Sequence, residues 1–96
     1  MIQLQFSWDT NKEQKNIKKH GVKFSTAVSV FYDEHRMIRY DSYNSLLEED
    51  RYKVVGLTKE QLIILSVAYT VRSGCYRIIS ARRATKKEEK EYYDNY

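Results

Sequence analysis

Proline is absent from this 96-residue chain, cysteine occurs once and glycine three times. Cys75 alone cannot close an internal disulfide, which suits a reducing cytosol. Joined only by His20 and His35, it cannot complete a zinc site unless carboxylates take part, so a zinc-finger nucleic-acid binder is excluded. Three glycines argue against a nucleotide-cofactor cradle, and no GxGxxG, P-loop, HExxH or GxSxG pattern occurs. The longest apolar run, residues 62–71, holds ten residues with Ser66 and Thr70 among them, against the roughly 20 needed to cross a bilayer. Residues 1–6 alternate apolar and polar side chains, with neither the basic start nor the long apolar core of a signal peptide. Repeats, low-complexity tracts and Gly/Ser-rich linkers are missing as well. The expectation is a soluble, cytoplasmic protein in which residues 1–96 form one domain.

What the chain does carry is charge and tyrosine. Lysine and arginine number 17 against 13 aspartate and glutamate, so the formal charge of +4 favours an anionic partner without naming one. The charge is uneven. Residues 33–50 hold six acids against Arg36 and Arg39, whereas residues 72–90 hold seven bases against Glu88 and Glu89. Nine tyrosines scatter across the chain, and most are expected to pack as amphipathic aromatics with the hydroxyl in water.

Local patterns give an element order. Ile2, Leu4 and Phe6 alternate as a short strand with one buried face would. Asp9 or Thr10 is placed to cap a polar helix that runs to His20 and is stopped by Gly21. Phe24, Ala27, Val28 and Phe31 repeat at helical spacing, so a second helix is expected from Ser25, with Ser25 as its cap. From His35 the period changes to two. Residues 37–40, 52–57, 62–70 and 76–82 read as four strands, and the breaks at 58–61 and 72–74 are short enough for hairpins. Residues 62–71 are apolar on both faces and are expected at the centre of the sheet. Thr85 caps a closing helix that reaches about Asp94, with Glu88 three residues on as in a capping box. The order predicts an α+β domain: a short N-terminal strand and two helices, an antiparallel meander and a C-terminal helix.

The informative segment is residues 77–83. Strand alternation puts Arg77, Ile79, Ala81 and Arg83 on one face and Tyr76, Ile78, Ser80 and Arg82 on the other. Two arginines at the ends of one face can grip phosphates with bidentate forks; they serve equally well as rim charges paired with the acidic segment at 33–50. Lys18, Lys19 and His20 end the first helix, where the dipole favours cations, and His20 can also supply a proton near neutral pH. His35 reads as a loop residue and Cys75 as inert. In Glu49-Asp50-Arg51, either acid could orient an arginine, act as a base, or form an intramolecular ion pair. Tyr69, beside Arg72, is placed to stack on a base or donate to a phosphate, while Tyr92 and Tyr96 are spaced to pack together. Two classes remain open at this point: a small RNA-binding or RNA-cleaving domain that needs no metal, and an interaction module that docks an acidic partner without catalysis.

The segments Phe6-Ser7-Trp8-Asp9, Lys12, Asn16, Lys19-His20-Gly21-Val22-Lys23-Phe24, Ala27, Phe31 and Asp33 continue into Glu49-Asp50-Arg51, Gly56 and Arg77-Ile78-Ile79-Ser80-Ala81-Arg82-Arg83-Ala84-Thr85, with Glu88 and Tyr92. Together they span nearly the whole chain and resemble the BrnT-type toxins of bacterial type II toxin–antitoxin systems. The chain departs from that pattern in the acidic stretch at 46–50, where a glycine commonly precedes the glutamate. The resemblance implies a RelE-like fold and a ribonuclease, free of metal and cofactor, that cuts RNA and arrests translation. It also implies a BrnA-type ribbon-helix-helix antitoxin that blocks the toxin and carries the complex to its own promoter, so that operator DNA is met only through the antitoxin. The expected chemistry is in-line attack of a ribose 2′-hydroxyl on the adjacent phosphate. Arg77 and Arg83, with Arg72 or Arg51, would hold the phosphate, and Lys19 and His20 would supply charge or a proton. Tyr69, Ser80, Arg82, Lys86 and Lys87 would complete the RNA surface. The alternative is a non-catalytic co-repressor within an operator-binding complex.

Overall fold

The computed structural model describes residues 3–45 and 49–96; Ile2 of the expected first strand and the acidic stretch at 46–48 lie outside the described residues. Its elements are β1 (Phe6–Trp8), α1 (Thr10–His20), α2 (Phe24–Val28), a 3₁₀ turn (Ser29–Tyr32), β2 (Met37–Tyr40), β3 (Arg51–Leu57), β4 (Ile64–Arg72), β5 (Cys75–Arg83) and α3 (Lys86–Asp94). The sheet order is β1-β5-β4-β3-β2. The strands from β2 to β5 form the antiparallel meander with β4 central, and β1 pairs parallel with β5, so the α+β order holds with a mixed sheet.

The local signals work through identifiable bonds. Asp9 accepts the Lys12 amide at 3.0 Å to open α1, and Gly21, at φ 70°, closes it by donating to the Ile17 carbonyl. Thr85 and Glu88 form the reciprocal capping box of α3. Ser73 and Gly74, at φ 50° and 75°, make the two-residue turn between β4 and β5, where two left-handed residues match the twist of the hairpin. The second helix differs from expectation. It begins at Phe24, and its cap is remote: Glu13 of α1 accepts the Phe24 amide at 2.9 Å, so Ser25 is not needed as a cap, and the helix tightens to 3₁₀ after Val28.

Helices α1 and α2 and the 3₁₀ turn cover one face of the sheet. Phe24, Ala27, Val30 and Phe31 pack there on Val54, Val67, Tyr69, Ile78 and Ala81. Gly56 lets the 3₁₀ turn lie against β3, since a Cβ there would stand 2.8 Å from Val30 Cγ1. On the other face α3 covers one end only, with Tyr92 against Val55 and Ile64. Asp33 ties the two layers together. Its carboxylate accepts from the Leu57 amide at 2.8 Å, the His35 amide at 3.0 Å and the Tyr92 hydroxyl. Burial opposes its charge, but these donors outweigh burial and hold the carboxyl below its usual range.

Strand β5 carries an irregularity that local pattern does not reveal. Its register against β4 shifts between Ala68 and Tyr69: Tyr69 faces Ile78 and Ala68 faces Ser80, which leaves Ile79 as an extra residue. β5 loses its β1 neighbour at the same place, because β1 ends at Trp8 opposite Ile78. The buried side chain of Asn16 takes over. Its amide donates to the Ala81 carbonyl at 2.8 Å and the Val22 carbonyl at 2.9 Å, and its oxygen accepts the Ala81 amide at 3.1 Å. Truncating Asn16 would leave these buried groups unpaired, at about 1–3 kcal/mol for each. Asn16→Ala is therefore expected to lower unfolding stability by about 3 kcal/mol in urea denaturation, and a loss below about 1 kcal/mol would contradict this role.

Candidate functional site

Residues opposite one another across a sheet share a face. On the face away from α1 the rows run Ser7, Arg77, Thr70, Arg51; then Ser80, Ala68, Lys53, Arg39; then Arg82, Ser66, Val55, Met37. Arg72, two residues after Thr70 on β4, continues the same face. The extra residue at Ile79 thus reverses the expected grouping. Arg77, Ser80 and Arg82 stand together, while Arg83 pairs with Leu65 on the helix-covered face and does not share a row with Arg77. The expected sharing of one strand face by Arg77 and Arg83 is not found, because the bulge adds a half-period between them.

Small side chains make the floor of this face. Ser66 and Thr70 are buried, and Ala68 and Ser80 are half-buried. A cavity of about 280 Å³ results, lined by Asp41, Asn44, Arg51, Lys53, Ser80 and Arg82 among others. A second, of about 400 Å³, shares Asp41 and Lys53 with it and reaches Thr85 and Lys87 at the start of α3. Lys86 and Lys87 are exposed in the first turn of α3, where the helix dipole disfavours cations, so they add to the positive charge of this end without serving the helix.

Carboxylates interleave with the cations. Glu49 accepts from Arg72 Nη2 at 2.6 Å and Nε at 2.9 Å, and from Arg51 at 3.5 Å, and the Arg72 guanidinium is the main cause holding its carboxyl below the usual range. Glu88 grips Arg82 in bidentate fashion at 2.7 and 3.2 Å, and Glu91 pairs with Arg39. Arg77 is different: it meets only the Ser7 hydroxyl, at 3.4 Å, and no carboxylate among the described residues comes within ion-pair distance. Nε of Arg51 is buried without a partner among the described residues. Ion pairs as exposed as Arg72–Glu49 contribute only about 0–1 kcal/mol, so breaking them costs little.

Of the residues singled out from sequence, Arg51, Arg72, Arg77, Ser80 and Arg82 come together here, with Lys86 and Lys87 at the rim. Lys19 and His20 do not join them; they are exposed at the end of α1, in the layer on the opposite face. Tyr69 is 3% exposed, stacked on Tyr52 and edge-on to Phe31, and burial pushes its phenol up to about 12. Its ring is core and has no face left for a base. His35 stacks on Tyr96 at 3.8 Å and does not line the cavity. Asp41, Asn44 and Lys53 were not apparent from sequence as site residues, although Arg51 and Lys53 alternate on one strand and that spacing already puts them on one face. Among the described residues no group of three His, Cys, Asp or Glu side chains converges to hold a metal ion, and no helix is long and apolar enough to cross a membrane.

Residues 8–88 match the family model described as a ribonuclease toxin, BrnT, of type II toxin-antitoxin system. A search of curated proteins returns no match. The matched span runs from the last residue of β1 to Glu88 in α3, and so takes in every side chain that lines the 280 Å³ cavity.

Glu88 couples this face to pH. Burial opposes its charge, but the Arg82 guanidinium and the Thr85 amide outweigh burial and lower its carboxyl from 4.5 to about 2. A carboxylate lowered in the folded state stabilises in full above its unfolded pKa and loses that contribution as pH falls towards the folded one. Glu88→Gln, which can keep the capping box, is expected to reduce stability at pH 7 by about 1 kcal/mol in urea denaturation. The gap from the unsubstituted protein should close between pH 4.5 and pH 2; a gap independent of pH would contradict the assignment.

Proposed function

The chain belongs to the BrnT family of ribonuclease toxins of type II toxin–antitoxin systems, and we propose that its open basic face binds RNA and cleaves it without a metal. The observation that carries the reading is Arg77, a cation with no carboxylate partner among the described residues, in one row with Thr70 and Arg51 over a floor of small side chains. In-line attack forms a bond from the ribose 2′-oxygen to phosphorus and breaks the bond to the 5′-oxygen. The 2′-hydroxyl loses a proton and the leaving oxygen gains one. Negative charge accumulates on the phosphoryl oxygens, and fixed guanidinium groups in a partly dry cleft stabilise it. Arg77 and Arg51 are suited to that role, with Lys53 and Arg82 along the strand path and Lys87 at the rim for flanking phosphates. Lys19, His20 and Arg83 stand on the other layer and are left out of it.

The same face accounts for the rest of the reading. Translation arrest follows from RNA cleavage, and a BrnA-type ribbon-helix-helix antitoxin would neutralise the toxin by covering the basic groove. Such a complex would meet operator DNA through the antitoxin. One observation favours the non-catalytic alternative of a co-repressor: neither imidazole lines the cavity, and Glu49, Glu88 and Asp41 all hold their protons weakly, so none is tuned as a general base.

Purified protein incubated with total RNA in the presence of a chelator separates the two. Cleavage is expected to survive chelation and to fall by about 10²–10³ in Arg77→Ala, the loss typical of one charge stabiliser. Arg83→Ala should remain within a few-fold of the unsubstituted protein. An Arg77→Ala variant that folds and cuts within a few-fold would overturn the assignment, and no cleavage at any protein concentration would favour the co-repressor.

A further inference from the structure

The cavity on the basic face contains a carboxylate that phosphate binding does not explain. Among the described residues Asp41 is the single acidic one that lines it, and it would repel a phosphate placed beside it. Unlike Glu49, Glu88 and Glu91, it forms no ion pair with an arginine among the described residues. Its oxygens accept instead from the Asn44 amide at 3.2 Å and the Asn44 side chain at 2.8 Å. A carboxylate offers about four acceptor positions; the Tyr43 backbone amide also acts on this one, so at least one remains.

The loop that presents Asp41 is anchored to β3. Its amide donates to the Arg51 carbonyl at 2.8 Å, and the Ser45 hydroxyl bridges the Asp41 carbonyl at 2.7 Å and the Arg51 amide at 2.9 Å. The Asn44 side chain, ahead of a smaller contribution from the Lys53 charge, keeps the carboxyl below its usual range and therefore ionised at neutral pH. The same cavity is lined by Lys53, which forms no ion pair among the described residues, and by Arg82, whose guanidinium also holds Glu88; its volume of about 280 Å³ lies at the small end of ligand sites, enough for one base.

A fixed acceptor pair facing cationic donors discriminates among bases by their edges. Guanine alone carries two adjacent donors, N1–H and the 2-amino group, and on its far side two acceptors, O6 and N7, which lysine and arginine read well. Adenine would turn the N1 lone pair towards the carboxylate. Uracil has one donor between two carbonyl oxygens, and cytosine has an acceptor beside its amino group. We propose that this cavity is a base-reading subsite for guanine, with Asp41 accepting from N1–H and the 2-amino group and Lys53 or Arg82 donating to O6 and N7. The proposal rests on the reading of this face as the RNA site and adds a sequence preference to it.

The test is titration of the full chain with the 3′-monophosphates of guanosine, inosine, adenosine and uridine, followed by amide chemical shifts. Guanosine monophosphate should bind at least about fivefold tighter than the adenosine or uridine forms, the discrimination of one good bidentate contact. Inosine monophosphate, which lacks the 2-amino group, should fall between, and this comparison needs no variant. Asp41→Asn should lose the preference for the guanosine over the adenosine and uridine forms, read as the ratio of affinities within the variant. Equal affinities within about twofold, well inside the expected margin, or no binding of any nucleotide at millimolar concentration, would overturn the proposal. RNA cleavage measured in parallel reports on the ribonuclease by itself: cleavage without preference for guanine sinks the subsite alone, whereas absence of cleavage sinks the broader reading.

Discussion

One buried amide holds the working part of the sheet in place. Strand β5 is paired on both sides only as far as Ile78; beyond it, the edge would face α1 with its N–H and C=O groups unmet. Backbone groups sealed from water without partners are costly, and a strand edge buried under a helix multiplies that cost. Asn16 removes it by presenting a donor and an acceptor to the one residue, Ala81, that needs both. Its second donor goes to Val22, just past the Gly21 turn, so the same side chain fixes the end of α1, the entry to α2 and the course of β5.

That constraint decides which side chains meet. With β5 pinned at Ala81 and in register with β1 at Ile78, the extra residue at Ile79 has to be accommodated between them. The strand is thereby turned over by a half-period, so Ser80 and Arg82 rise on the same side as Arg77. Arg83, one step further, is sent to the helical side. A face with so many cations would repel itself, and the carboxylates are distributed to limit this: Glu49 is shared by Arg72 and Arg51, Glu88 belongs to Arg82 and Glu91 to Arg39. Arg77 is left out of that pairing, and it lies in the row most distant from α3.

Much of the fold was legible in sequence because it is specified locally. The caps at Asp9, Gly21 and Thr85, the two-residue turn at Ser73-Gly74 and the placement of β4 at the centre each depend on a few adjacent residues. The errors share a different origin. The helical cap assigned to Ser25 is supplied by Glu13, 11 residues upstream of Phe24. Tyr69 is expected beside Arg72 to stack on a base or donate to a phosphate, but the 3₁₀ turn brings Phe31 onto it and closes the core over its ring. The face assignment of Arg83 failed because a bulge is a property of two strands in register, and alternation along one strand contains no trace of it. The candidate site was thus half-legible: the cations of β5 stand out in the sequence, and which of them share a face does not.

The acidic segment at 33–50 shows the same division between composition and placement. Its charges read as a counterweight to the basic strand, yet they do three unlike things. Asp33 is structural: it receives the Leu57 and His35 amides and the Tyr92 hydroxyl, so it connects the end of the 3₁₀ turn to α3. Glu49 is electrostatic and steadies two arginines of the groove. Asp41 lines the cavity, and among the described residues the Asn44 side chain, and no arginine, partners its carboxylate. Through Asp33 and Tyr92 the first of these also sets where α3 stops covering the sheet, and hence where Lys87 and Thr85 border the groove. An acidic stretch opposite in charge to the basic face thus helps to build it: Asp33 ties α3 to the 3₁₀ turn, Glu49 pairs with Arg72 and Arg51, and Asp41 lines the cavity between the cations.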